Sequence, residues 1–303
     1  MKYGVYQLEF LTGVHFGTGS LQESAYTFHA DQLFSALCLE ALKVGKEKLF
    51  YEAAETGKLL FSDGLPYCGD CYYVPKPILY VERKDPGNSE IKKQMKKLGY
   101  LPLEALDPYL CGSLDIASLP DFDPGRAELR SFVSVRNENG EALPCRIGVF
   151  TFRRGWGLYF LAGYADDGSR ELLEELLQML SFRGIGGKKA SGLGRFRFRS
   201  AGLLPAFADR LSKDHGRQML LSAALPGEEE LETVLPGSTY LLEKRSGFAA
   251  SAGCGEEEIR KADLFVFSAG SCFMCRFEGA ICDVSDGGSH PVWRMEKPLF
   301  LGL

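Results

Sequence analysis

Between a stripe of leucines at helical spacing and a short alternating strand lies RGIGGKKASGLGRFRFR, residues 183–199. It holds glycines at 184, 186, 187, 192 and 194 and six cations, Arg183, Lys188, Lys189, Arg195, Arg197 and Arg199, with no acid. Glycines admit backbone conformations closed to other residues and bring main-chain N–H groups close to a ligand, so with lysines among them the segment reads as a phosphate cradle. A Walker loop needs Gly-Lys-Ser/Thr, and here Gly187-Lys188 is followed by Lys189. A dinucleotide fingerprint follows a strand and opens a helix. This loop follows a helix and opens a strand, so no helix N-terminus is available for a pyrophosphate, and an extended polyanion is the better ligand. The plainer alternative is a glycine-rich turn carrying solvated lysines.

The rest of the chain switches between the two hydrophobic periods. Tyr6, Leu8 and Phe10 alternate as in a half-buried strand over residues 3–11. From Asp31, Leu33, Phe34, Leu37, Cys38, Ala41 and Leu42 recur at helical spacing, with Asp31 as the expected cap and Gly45 as the stop. Strands are expected near 58–62 and 72–81, with Pro75 and Pro77 pushing the second towards a sheet edge. Residues 82–128, with Lys92, Lys93, Lys96 and Lys97, read as an insertion or protruding arm. Strands resume at 129–135, then at 145–153 and 157–164, the last two forming a hairpin over an Arg-Gly-Trp turn. Ser169 offers an N-cap to a helix whose stripe is Leu172, Leu173, Leu176, Leu177 and Leu180, and a strand at 195–200 follows the loop.

That order predicts an α+β fold: a ferredoxin-like or RRM-like domain over 1–204, with the arm inserted at about 82–128. A boundary falls near 204–216. The remainder, 205–303, with strands near 218–224, 238–244, 263–268 and 273–282 and a helical piece near 228–235, reads as a second, degenerate RRM-like domain.

Composition narrows the setting. A chain of 303 residues, 45% hydrophobic, buries a sizeable core. It has no apolar run long enough for a bilayer and opens on a strand-like MKYGVYQLEF, so a soluble, cytoplasmic protein away from membranes is expected. Nine cysteines, several in apolar segments such as Cys38 and Cys145, suggest free thiols in a reducing compartment. The net charge of -5 excludes a protein that coats nucleic acid with its whole surface and leaves the basic loop as the plain anion site.

The helix HADQLFSAL, the strand GLYFLAGY, the leucine-rich helix and the loop GIGGKKASGLGRF, in that order, resemble the RAMP superfamily of CRISPR proteins. The stretches YLLEKRSGF, AGSCF and EGAICDV further resemble the subunit of type III-A (Csm) effector complexes that caps the guide RNA. The resemblance runs along most of the chain and is weakest over 82–128. It implies two RRM-like folds that hold the repeat-derived 5′ tag of CRISPR RNA and join the large nuclease and cyclase subunit to the first backbone RAMP subunit. By the same similarity His15, Phe16 and Gly17 face the tag together with Arg183, Gly184, Gly186, Gly187, Lys188, Lys189, Ser191, Gly192 and Arg195, and the insertion acts as a thumb. Arg130, Arg136, Arg245 and Phe248 complete the expected RNA contacts, Phe248 because a glycine, an aromatic and an arginine together fit a contact loop. Phe248 as an interdomain plug, and His15 as a residue that only packs its loop, are equal alternatives.

Some RAMP proteins cleave precursor RNA with a histidine near the first helix, so a metal-independent endoribonuclease is the competing function and His29 its candidate base. A histidine at a helix start is more often structural, and nothing in the sequence brings Lys43 or Tyr26 beside it. The processing nucleases also carry their glycine-rich loop near the C-terminus, whereas this one ends about 110 residues before it. No catalytic residue is therefore assigned. His215 and His290 have no companion pattern. Cys68-Gly-Asp-Cys71 and Cys272-Phe-Met-Cys275 have zinc-type spacing, but the second pair alternates as a strand does, so no metal and no cofactor is expected. A general RRM regulator would carry an RNP aromatic stretch, and none is found.

Overall fold

The first strand, β1 (Lys2–Phe10), is two-faced: Tyr6 and Leu8 enter one apolar cluster and Val5 another. The structure, a computed structural model, describes residues 1–84, 89–135, 142–214, 216–248, 260–285 and 290–303. After β1 come α1 (Ala30–Lys43), α2 (Glu47–Glu55), β2 (Leu59–Phe61), β3 (Leu65–Cys68), β4 (Cys71–Pro75), α3 (Ser89–Lys97), β5 (Tyr100–Pro102) and α4 (Leu106–Leu110). Then follow β6 (Gly125–Val135), β7 (Ala142–Phe152), β8 (Trp156–Tyr164), α5 (Asp167–Arg183) and β9 (Phe196–Ala201). The second part holds α6 (Pro205–Ser212), β10 (Gln218–Leu220), α7 (Leu231–Val234), β11 (Leu242–Arg245), β12 (Leu264–Phe267), β13 (Cys272–Phe273), β14 (Ile281–Asp283), β15 (Trp293–Met295) and β16 (Phe300–Gly302).

The fold is mixed α+β with several antiparallel sheets. The largest runs β5-β4-β3-β8-β1-β9, with β2 also on β8. On one face, the leucine stripe of α5 and Leu33, Phe34 and Leu37 of α1 pack on Tyr6, Leu8 and Phe160. Each such leucine, fully buried, contributes about 1.5–3 kcal/mol. On the other face, Val5, Tyr159 and Leu161 meet Phe207 and Leu211 of α6 together with Met219, Leu221, Leu299 and Leu301. The sheet is thus covered on both sides, and the second part of the chain supplies one of the covers.

Several expectations need correction. Residues 100–114 do not form a free arm: β5 pairs with β4, Leu101, Ala105, Tyr109 and Leu114 make their own buried cluster, and Asp107 is paired with Arg210 of α6. The long extension is the β6–β7 hairpin, eleven residues a strand. Accordingly β7 does not pair with β8 across the Arg-Gly-Trp turn; its ladder runs with β6 throughout. The turn exists, with Trp156 N–H donating to the Arg153 carbonyl, but it joins two sheets. Apart from these corrections, α6 lies in the stretch expected as a boundary, near 204–216, and its Phe207 is a core residue.

The helix caps differ too. Asp166, not Ser169, caps α5 and accepts from the Ser169 N–H at 2.7 Å, because an acid three residues ahead reaches that orphan donor. His29 occupies the cap position of α1, and Asp31 lies inside the helix, buried. The strand expected over 273–282 is two short ones, β13 and β14, belonging to different sheets.

Candidate nucleic-acid interface

The glycine-rich loop is moored on the segment after β1. Gly187 N–H donates to the His15 carbonyl at 2.8 Å, Gly194 N–H to Gly13 at 2.9 Å, and Ile185 N–H to Gly194 at 3.0 Å. Gly186 has φ +97°, and a Cβ there would stand 2.7 Å from the His15 carbonyl oxygen and 3.0 Å from the Phe16 ring. Only glycine allows that approach. The two segments expected to act together do meet, but as a packed pair. His15 is buried and its Nδ1–H donates to the Gly148 carbonyl of β7 at 2.7 Å. Phe16 is a core ring set against Phe10 and Phe28. Their side chains shape the loop rather than its outer surface, while Gly17 is exposed.

Beyond Gly187 the loop changes character. Lys188 takes the left-handed conformation, φ 56° and ψ 33°, with its side chain exposed, and a short 3-10 turn, Lys189–Ser191, leads to Gly192. Gly192 has φ +83° and open space where a Cβ would stand, so this glycine serves backbone shape and not packing. Behind the turn, the buried Glu40 of α1 receives Lys43 at 2.6 Å and Arg183 Nε at 3.6 Å. Burial, and then the Arg183 charge, push the Lys189 ammonium below its usual pKa. That basic cluster was not legible in sequence, since Lys43 and Glu40 stand well over a hundred residues from the loop.

The hairpin forms the other wall. Leu193 packs with Ile147 and Val149 of β7, so the loop's second half is anchored on the extension. Arg130 of β6 is partly exposed and paired with Glu128 and Thr151. Arg195 is exposed at the start of β9. Arg136 and His215 lie outside the described residues.

Arg245 goes elsewhere. Its guanidinium donates to both Asp31 oxygens, at 2.7 and 3.0 Å, and Arg294 Nε stands 3.4 Å from the same carboxylate. Burial would raise the Asp31 pKa, but Arg245, His29 and Arg294 together hold the carboxyl below its usual range. The Arg245 side chain is thereby paired and mostly buried, and Asp31 is an interhalf anchor instead of a cap. Phe248 remains available, 61% exposed. Lys92, Lys93, Lys96 and Lys97 lie on α3, which buries no residue and is a solvated helix.

Sequence and structure comparisons bear on this arrangement. Residues 7–197 match the RAMP superfamily, and residues 213–303 match the CRISPR Csm4 C-terminal domain. The CRISPR system Cms protein Csm4 of Mycobacterium tuberculosis is 39% identical over 291 residues, covering 95% of this chain and 94% of the relative. The chain belongs to the Csm4 family of the RAMP superfamily. Csm4 of Streptococcus thermophilus is 36% identical over 312 residues, covering 100% of this chain and 99% of the relative. In fold, the chain is similar to a solved Csm3-Csm4 subcomplex of the type III-A CRISPR-Cas interference complex, with a TM-score of 0.70, 17% identity and 99% of each chain covered. It is also similar to a Csm1-Csm4 cassette in complex with pppApA, with a TM-score of 0.62, 18% identity and 100% and 98% covered.

Within this Csm4-family fold, His29 is committed to local contacts. Its Nδ1–H donates to Asp63 at 2.9 Å, with Glu243 at 3.4 Å, while Asp63 also accepts from the Ala30 N–H of the first turn of α1 and from Ala223. Burial lowers the imidazole pKa, but the Asp63 carboxylate overrides it and the pKa ends above the ordinary histidine value. Lys43 sits at the other end of α1, about 20 Å away at 1.5 Å per residue. Tyr26 packs, tilted, among the rings of Tyr100, Phe122 and Phe150. Cys68 and Cys71 face each other across the β3–β4 turn, Cys272 is buried in β13, and no three metal-ligating side chains gather among the described residues. Among those residues, no helix is long and apolar enough to cross a membrane.

Proposed function

We propose that the chain is a non-catalytic, cytoplasmic scaffold subunit that holds the 5′ repeat-derived tag of CRISPR RNA and links the large subunit to the backbone of a type III-A complex. The observation that carries this reading is the division of the loop. Gly186 and Gly187 are locked on His15, while Lys188, Ala190 and Ser191 stay exposed, with the half-buried Lys189 and the Arg183 guanidinium beside them. A rigid base under an open, cationic turn suits an extended phosphate backbone. The partners are those of its solved likenesses, Csm3 and Csm1. We read β1, α1, the β2 and β3 strands, β8, α5 and β9 as a ferredoxin-like unit, the second part as its degenerate counterpart, and the β6–β7 hairpin as the thumb. With one sheet face under helices and the other under the second part, the loops are the surface left for RNA.

Against the endoribonuclease alternative, His29 is tied to Asp63 and Glu243, and Lys43 to Glu40 at the far end of the helix. The deciding experiment is incubation of the purified chain, alone and with its partner subunits, with repeat-containing RNA. Retention of uncut RNA supports the scaffold. A discrete cut that His29→Gln abolishes overturns it.

A further inference from the structure

Beside the basic loop, between the last turns of α5 and the open edge of β9, lies a groove of about 590 Å³ lined by Leu11, Gln178, Phe182, Arg195, Arg197 and Phe198, among others. That volume falls within the ~300–1,000 Å³ of small-ligand clefts. β9 is the terminal strand of the main sheet, so its outer edge pairs with no strand among the described residues. Phe196 is buried as the floor and Phe198 half-buried beside it, while Phe182 is 69% exposed although it immediately follows a buried leucine stripe. A phenylalanine held largely in water on a stable helix gains nothing from burial where it stands. Its neighbours are cationic: Arg195 and Arg197 form no ion pair among the described residues. Glu9 is opposite Arg197 in the β1–β9 ladder but does not reach it.

Resting on the scaffold reading above, we infer that this groove is a nucleotide subsite of the guide-RNA path, in which the Phe182 ring stacks one base and Arg195 and Arg197 take the adjoining phosphates. Two observations favour a single-stranded nucleotide over a partner's peptide strand. The groove is continuous with the loop: Phe182 adjoins Arg183, and Arg195 is the residue that ends the glycine segment. Its rim is positive, and cations on an edge strand deter strand addition, whereas an exposed aromatic beside arginines is the composition of single-strand stacking platforms. Gln178, exposed one helical turn before Phe182, offers an amide to a base edge.

The test places 2-aminopurine at successive positions of single-stranded repeat-derived RNA and measures fluorescence and affinity with the full chain in its complex. One position should be quenched by wild type, and Phe182→Ala should relieve that quenching and weaken binding about tenfold, the effect of losing one stacked base. Phe182→Trp should restore both, which a merely structural role for the ring would not do. Unchanged quenching and affinity in Phe182→Ala, while Lys188→Ala with Lys189→Ala still weakens RNA, overturns the subsite and leaves the scaffold reading standing. Failure of the wild-type complex to bind the RNA overturns both. If Phe182→Ala keeps RNA affinity but releases a partner subunit, the groove is a protein-docking face and the inference is wrong.

Discussion

Arg245, at the end of a strand in the second part of the chain, donates to both carboxylate oxygens of Asp31 in the first turn of α1, at 2.7 and 3.0 Å. Arg294 joins the carboxylate from a second strand and also donates to the Arg245 and Ser246 carbonyls. One buried acid therefore ties the helix under the main sheet to two strands more than two hundred residues on. Removing one partner of a buried pair leaves an uncompensated charge and costs about 3–5 kcal/mol. Asp31→Ala should lose on that order in urea unfolding, and Arg245→Ala should lose less on top of it than alone. Additive losses would show that the pair is not coupled.

Glu296 predicts a pH effect. It is 1% exposed and neither carboxylate oxygen has a partner among the described residues, so burial pushes its pKa up to about 9 from 4.5. Between those values the folded chain holds a proton the unfolded chain has lost, so this group erodes stability as pH rises from about 4.5 to about 9. Glu296→Gln should melt higher than wild type at pH 8 and no higher near pH 4. A variant equally displaced at both pH values would refute the assignment.

His29 carries the opposite kind of contribution. Asp63 raises its pKa above the ordinary value, so the stabilisation is complete below the unfolded histidine pKa and fades as pH rises through the folded one. His29→Gln should cost stability at pH 5.5 and little at pH 9, read from melting temperatures, and should leave guide-RNA length in the assembled complex unaltered.

Two glycines of the loop separate packing from shape. Gly186→Ala places a Cβ 2.7 Å from the His15 carbonyl and should lower stability by several kcal/mol, because backbone there cannot yield. Gly192→Ala meets nothing and should cost about 1–2 kcal/mol for its left-handed conformation, leaving the fold intact. Equal melting temperatures for the two variants would contradict this division.

How much of this was legible in the sequence follows from range. The helices of Leu33 and Leu176, the strands around Tyr6 and Phe160, and the glycine loop declared themselves through local periodicity. What was missed depends on partners far along the chain. Asp31 looks like a cap until Arg245 is placed beside it, and α2 carries only Phe50, Ala53 and Ala54 as a buried stripe. Nothing local told β7 to choose β6 over β8, because both neighbours lie only a few residues away in the sequence. His15 and Phe16 stand beside the loop, and the sequence could not say that their side chains would point inward.

The central claim is that Lys188 and Lys189 meet RNA phosphates on a shaped turn. Affinity of the assembled complex for tag-bearing RNA should be measured over a series of salt concentrations for wild type and for Lys188→Ala with Lys189→Ala. Each phosphate contact on a single strand contributes about 0.7 to the slope of log affinity against log salt, so the double variant should bind more weakly with a slope shallower by about 1.4. The same affinity and the same slope in both proteins would contradict the account.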